Sequence, residues 1–335
     1  MKKKLVSVLL CGVMIVGLLV GCGSKDSGAD STDGNEDKKD SGKKLEIGSV
    51  IMNTSGEWFA EVIQGMEAAA KDLDVSISIV SSDNEVSKES DNVATFVAQQ
   101  VDALCISPLS TDASVAAVES VKEAGIPVVN WNTTVNTETD GFVGVSNNEL
   151  GGMTGEYVAE YIAENFPDGC KMAMITNSSY EVGVERCGGF EEAVKDVKGL
   201  EIVASQDAES QEEGLDITEQ LLTAHPDIDV IWAWNQTSLL GCVAALQNAG
   251  NKDIVIMGTD MSVELAKDML SEDVKLQAIT TQMPYDIGYT AVENAVKAAK
   301  GESIEKETLV PLKTYIKDKV DEINSYIEEH KGLAE

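Results

Sequence analysis

The sequence predicts an α/β fold built as two doubly wound, parallel-sheet domains, and three observations predict it. From residue 45 onward, short apolar runs rich in β-branched residues alternate with longer segments of helical periodicity. The runs are near-continuous rather than alternating, as expected of parallel strands covered by helices on both faces. Roughly 290 residues follow this pattern, more than one ordinary open sheet organises, so two domains are expected.

Taken in order, LEIGSVI (45–51) is the first predicted strand and 58–73 the first helix. VSISIV (75–80), ALCIS (103–107) and IPVVNW (126–131) are further apolar, β-rich runs, with helical segments at about 88–100 and 113–124. The later strands are FVGV (142–145), KMAMIT (171–176), LEIVAS (200–205), DVIWAW (229–234), DIVIMG (253–258) and LQAIT (276–280), with helices between nearly all of them. The segment 316–331 reads as an amphipathic helix with Ile316, Val320, Ile323 and Ile327 on one face, packed on the second domain.

Doubly wound sheets bind ligands beyond the carboxyl ends of their strands. Here those ends are polar. IPVVNW runs into Asn132, Thr133 and Thr134, KMAMIT into Asn177 and two serines, DVIWAW into Asn235 and Gln236, DIVIMG into Thr259 and Asp260, and LQAIT into Thr281 and Gln282. Any one of these ends also fits a helix cap or turn, which favours the same residues. As a set they form a wall of donors and acceptors suited to a polyhydroxylated guest. Arg186 is the only arginine against 24 lysines, which marks a place where a planar fork of donors is needed.

The ends of the chain define the compartment. Lys2, Lys3 and Lys4 precede an apolar run, 5–20, that is too short for a durable span. It closes on LVGC, which resembles the lipobox of bacterial lipoproteins and implies cleavage before Cys22 and lipidation of its sulfur, so that 1–21 is a signal peptide. Residues 22–44 hold one apolar side chain after the cysteine, Ala29, and read as a flexible tether; their acidic spacing does not match a calcium loop. Losing three lysines with the signal moves the formal charge from −33 to −36, which argues against a nucleic-acid partner. Cys105, Cys170, Cys187 and Cys242 form no CxxC pair, and neither His225 nor His330 has the company that metal or nucleophilic catalysis needs. No metal and no cofactor are expected.

Seven stretches in order carry a resemblance: GEWFAEVIQGMEAAAKDL, VDALCISP, EAGIPVV, ERCGGFEEAV, AHPDIDVIWAWNQTSLLGCVAALQNAG, IMGTDMS and ITTQMPYDIGYTAVENAVK. Over most of 45–315 the chain resembles a type I periplasmic sugar-binding protein of the ribose-binding kind, the substrate-binding lipoprotein of an ABC importer. The resemblance implies two lobes joined by a three-crossover hinge near 146–148, 281–282 and 310–311, giving lobes of 45–146 plus 282–310 and 147–281 plus 311–335. It implies a monomer, tethered to the membrane by lipid, that closes over a monosaccharide or polyol and delivers it to a permease without chemistry. Carried over by motif, Trp58 and Phe59 stack on the sugar, while Arg186, Asn235, Asp260 and Gln282 bind its hydroxyls. Where the family commonly has an Asp-Arg pair, this chain has Asn132 and Thr133; Gly56 and Gln236 also depart from the pattern, so ribose itself is not expected. Asn132 is kept as a contact, and Glu57, Trp131, Glu209 and Trp234 are further candidates beside the pocket. Trp234 lies on the strand face opposite Asn235, where its simplest role is core packing with an edge near the cleft; Trp232 lies deeper on that face.

Two other functions fit part of the pattern. A sensor presenting the same closed form to a chemoreceptor or membrane kinase would bind a furanone or cyclitol. An enzyme on this scaffold lacks a G-x-S-x-G elbow, a P-loop and a dinucleotide fingerprint.

Overall fold

The computed structural model describes residues 44–332. The signal peptide, Cys22 and all but the last residue of the tether lie outside the described residues. The chain runs through β1 (Glu46–Ile51), α1 (Glu57–Asp72), β2 (Ser76–Ser81), α2 (Val86–Gln99), β3 (Ala103–Ile106), α3 (Val115–Glu123), β4 (Val128–Trp131) and β5 (Gly141–Gly144). It continues through α4 (Asn147–Asn165), β6 (Cys170–Thr176), α5 (Glu181–Val194), β7 (Leu200–Asp207), α6 (Gln211–Ala224), β8 (Val230–Ala233), α7 (Gln236–Asn248), β9 (Val255–Thr259), α8 (Val263–Leu270) and β10 (Lys275–Thr281). Last come α9 (Pro284–Ala299), β11 (Glu307–Leu309), β12 (Lys313–Ile316) and α10 (Val320–His330).

Two six-stranded sheets result, in the orders β11-β5-β4-β3-β1-β2 and β12-β10-β9-β8-β6-β7. Position by position, the second order repeats the first. Strand pairs are parallel except β10 with β12, where Ala278 faces Ile316 and Thr281 faces Lys313 in antiparallel register. The chain leaves the first sheet after Gly144, returns after Thr281, and crosses again between Leu309 and Lys313.

Each sheet is coated twice because strand residues alternate in direction. In the first, Ile47, Ile51, Cys105, Val129 and Trp131 pack under α1 and α9, while Val50, Leu104, Ile106 and Val128 pack under α2 and α3. In the second, Ile175, Ile231 and Ile256 face α6, α7, α8 and α10, and Met172, Met174, Trp232 and Met257 face α4 and α5. The central strands β3, β4, β8 and β9 are buried along their whole length, hence their near-continuous apolar sequences, in which Asn130 of β4 and Thr259 of β9 are the polar residues.

Helices pair at glycines. A Cβ on Gly151 of α4 would sit 1.9 Å from the Arg186 carbonyl, and one on Gly189 of α5 would sit 1.9 Å from that of Asn148. Only hydrogen at both positions lets the two helices cross this closely, and that crossing fixes the turn carrying Arg186.

Every predicted strand and three of the four located helices match within about two residues at each end. The reading of 316–331 as one helix is corrected: Ile316 ends β12, and α10 starts only at Val320, which is 48% exposed, whereas Ile323 is fully buried. β11 and β12, each at one edge of its sheet, were not expected from sequence. The four described cysteines are free and buried, and burial pushes the Cys105 and Cys242 thiols up to about 12. None of the described helices is long and apolar enough to cross a membrane.

Candidate functional site

The carboxyl ends of both sheets open on one cleft, which holds a cavity of about 430 Å³. Trp58, Phe59, Asn132, Arg186, Trp234, Asn235, Asp260 and Gln282 all line it. A second chamber, about 560 Å³, shares Asn132, Thr133, Asn147 and Tyr180 with the first and widens toward Ser110, Thr134 and Glu181.

Arg186, on the second turn of α5, is 6% exposed and anchors the polar wall. Its Nη1 donates to Asp260 Oδ2 at 2.6 Å and to the Trp234 carbonyl at 3.3 Å. Its Nε donates to Asn147 Oδ1 at 3.0 Å. Gln282 Nε2 donates to the other Asp260 oxygen at 3.0 Å. A guanidinium held at two nitrogens is locked in plane, and its Nη2 has no bond of its own within the described residues. The charges of Arg186 and Asp260 cancel, so the wall is strongly dipolar but has no net charge.

Asp260 has φ 65° and Asn132 has φ 63°, both in the left-handed region that Asn and Asp tolerate best. They follow β9 and β4, which hold the same place in their sheets, and each backbone N–H donates 2.9 Å to the neighbouring strand, Asp260 to Thr280 and Asn132 to Val143. The repeated turn aims one polar side chain from each sheet at the cleft.

The opposite side is aromatic. Trp58 and Phe59 meet edge to face with centroids 5.0 Å apart, and Trp58 stacks on Trp131 at 6.4 Å. Trp131 is fully buried, so it backs the aromatic wall and does not belong to it; this corrects its place among the contacts. Trp232, also fully buried, stacks on Phe190 at 4.1 Å. Trp234 is 5% exposed; its Nε1 donates to the Ala208 carbonyl at 2.7 Å and its ring lies 5.8 Å from the Arg186 guanidinium carbon. It therefore packs in the core and still presents an edge to the cavity.

Asn235 does two jobs. It lines the cavity, and it is the N-cap of α7, with Oδ1 accepting the Ser238 N–H at 2.9 Å and Nδ2 donating to Thr237 Oγ1 at 3.0 Å. Glu57 and Glu209 fall outside the lining. Glu57 Oε1 accepts the Val263 N–H at 2.9 Å, spanning from α1 to the start of α8, and burial raises its pKa. The exposed Glu209 takes the Tyr180 hydroxyl at 2.8 Å, while its backbone carbonyl accepts from Thr237 at 2.6 Å. Neither carboxylate reaches the cavity because a nearer backbone or phenol donor claims it.

Met52, Val145, Asn147, Tyr180 and Val182 line the cavity without having been singled out. Asn147 lies within the expected crossover at 146–148, and that placement was the available signal. No cluster of three or more His, Cys, Asp or Glu side chains that could hold a metal occurs among the described residues.

The periplasmic binding protein domain family model matches residues 47–303. Over 285 residues the chain is 32% identical to the ABC transporter periplasmic-binding protein YphF of Escherichia coli (strain K12), covering 82% of this chain and 86% of that protein. Over 317 residues it is 32% identical to the ribose import binding protein RbsB of Bacillus subtilis (strain 168), covering 93% and 98%. Among solved structures, a periplasmic solute binding protein from Actinobacillus succinogenes 130z with bound D-allose superimposes with a TM-score of 0.75 at 25% identity, covering 83% of this chain and all of that one. A solute binding protein from Bacillus halodurans C-125 with bound myo-inositol gives 0.72 at 25% identity, covering 85% and 98%. The family match, the relatives at 32% identity and the superpositions agree with the two sheets and three crossovers seen here, and the chain belongs to the periplasmic binding protein family with the type I fold.

Proposed function

We propose that this chain is an extracytoplasmic solute-binding lipoprotein that captures a monosaccharide or similar polyol between its lobes and delivers it to an ABC transporter permease. The observation that carries the reading is the buried Arg186–Asp260–Gln282 network facing Trp58 and Phe59 across one cavity. Aromatic faces suit the C–H face of a sugar ring, and fixed donors and acceptors suit its hydroxyls. A wall without net charge favours a neutral guest, and a cavity of about 430 Å³ admits one ring. The names of the relatives, which concern ribose, D-allose and myo-inositol, support the same class of ligand.

In this reading the contacts are Trp58, Phe59, Asn132, Arg186, Asn235, Asp260 and Gln282, with Trp234 at the edge. The lobes are 45–146 plus 282–310 and 147–281 plus 311–335. They close as rigid bodies about the three crossovers, and the protein works as a monomer held to the membrane through Cys22. Closure excludes water from the polar wall, which strengthens each hydrogen bond it makes. The ligand is held and released unchanged.

A thermal-shift screen over pentoses, hexoses and cyclitols tests this. A guest bound only by the folded state stabilises it by about 2.7 kcal/mol at a hundredfold excess over Kd. Calorimetric titration of Arg186→Ala and Asn235→Ala with the best hit is expected to show no measurable binding, since each lost bond to a charged or paired group costs about 1.5–3 kcal/mol. Unchanged affinity in both variants, or no shift with any member of the panel, overturns the reading.

A further inference from the structure

The two lobes also touch beside the cavity, where α1 meets α8 and α10. Glu57 and Glu61 stand one turn apart on α1, and both accept hydrogen bonds from residues of the second-sheet lobe. Glu57 takes the Val263 N–H of α8. Glu61 is 5% exposed; Tyr326 Oη donates to its Oε1 at 3.4 Å, and His330 Nε2 lies 3.4 Å from its Oε2. No lysine or arginine of the described residues pairs with Glu61. A buried carboxylate without a cation is costly, and a second carboxylate one turn away on the same helix face adds repulsion.

The His330 ring resolves this. Its Nδ1 is 2.6 Å from the Tyr326 backbone carbonyl, which only accepts, so Nδ1 carries a hydrogen. A neutral imidazole then presents a bare lone pair at Nε2 to the Glu61 carboxylate. The contact is favourable only when one additional proton sits between Nε2 and Oε2, making an imidazolium–carboxylate pair or its neutral equivalent. The ring is held in place by stacking on Tyr326 at 4.0 Å, and Tyr326 meets Tyr315 edge to face at 5.3 Å.

We propose that Glu61, His330 and Tyr326, with the Glu57 clasp on Val263, form a proton-gated latch that holds the two lobes together when protonated and loosens when the proton leaves. The lobes are those of the reading above, and nothing in the latch depends on which solute they enclose. Other charged or titratable groups near it are Glu329 on α10, Lys267 on α8, and Tyr315 and Lys313 on β12. Burial pulls the His330 pKa down, but the Glu61 hydrogen bond and charge and the Tyr326 carbonyl outweigh it, and the net shift is upward from 6.5. The sign follows: the latch is fully present below 6.5 and is lost as pH rises through the elevated value.

Two readouts on the unliganded full chain test this without a known solute. Carbon-13 imidazole resonances, with His330 assigned by its loss in His330→Gln, are expected to give a His330 midpoint above 6.5. Hydrogen-exchange protection of the Val263 amide is expected to fall about tenfold for each unit by which that midpoint exceeds the unfolded value. In His330→Gln the protection should be low and independent of pH, and in His330→Lys, which supplies a permanent cation, high and independent of pH. A His330 midpoint at or below 6.5 overturns the latch, as does Val263 protection that follows the wild-type profile in both variants.

Discussion

Asp260 is the residue on which the polar wall turns. It accepts from Arg186 and Gln282 with separate oxygens, is 8% exposed, and holds a left-handed backbone. Asp260→Ala leaves a buried guanidinium without its counter-ion and puts alanine where φ is positive. It is expected to lower unfolding free energy by about 3–5 kcal/mol. Asp260→Asn keeps the shape and tolerates the backbone, so it isolates the charge. Pairing it with Arg186→Met should cost less than the two single changes summed, because neither partner is then left buried and charged. Urea titrations of the four proteins measure the coupling, and additive losses would mean that the ion pair contributes nothing. Arg186 and Asp260 were legible in sequence, the first as a lone arginine and the second as a charged strand end. Glu57, Glu209 and Trp131 were legible only as neighbours of the pocket. Sequence adjacency places a residue near a cleft, but the direction of its side chain depends on the closest donor or stacking partner: Val263 N–H for Glu57, Tyr180 for Glu209 and Trp58 for Trp131.

At the level of elements, the crossing of α4 and α5 controls the site from behind. Gly189 lies on α5 three residues past Arg186, and its missing Cβ makes room for the Asn148 carbonyl beside the Asn147 that accepts from Arg186. Gly189→Ala forces backbone against backbone, where no rotamer change relieves the clash. It is expected to cost at least about 1–3 kcal/mol and to weaken solute binding as α5 is displaced. Gly188→Ala is the control, since a Cβ there meets nothing within 4 Å. Thermal unfolding of the two variants, followed by titration at a temperature where both are folded, separates stability from binding; equal melting temperatures would remove the crossing as a constraint. The central strands were readable because burial on both faces demands near-continuous apolar runs. β11 and β12 were not, because three- and four-residue edge strands carry mixed side chains and bury few of them. Ile316 misled for a related reason: it stands four residues before Val320, so an edge strand and the helix after it produced a helical spacing between them.

Across the whole molecule, charge opposes compaction. Acids outnumber bases 58 to 25, and the excess exists in both lobes, while many lysines of the described residues are spent on exposed pairs such as Lys195–Glu192 and Lys252–Asp273. Exposed pairs of this kind contribute about 0–1 kcal/mol each, and salt weakens them. Salt also weakens the mutual repulsion of the unpaired carboxylates, and with a formal charge of −33 the repulsion is the larger quantity. The screening length falls from about 30 Å at 0.01 M to about 8 Å at 0.15 M, a change that spans the width of a lobe at one end and a single side-chain contact at the other. The melting temperature is therefore expected to rise between these two concentrations of sodium chloride, with little further change up to about 1 M, where the screening length is already about 3 Å. Scattering from the unliganded protein should show a smaller radius of gyration over the same interval, since repulsion between lobes of like charge opposes their approach. A melting temperature that falls with salt would assign the dominant surface electrostatics to the ion pairs instead, and would require the acidic excess to be spaced widely enough that it costs the fold nothing.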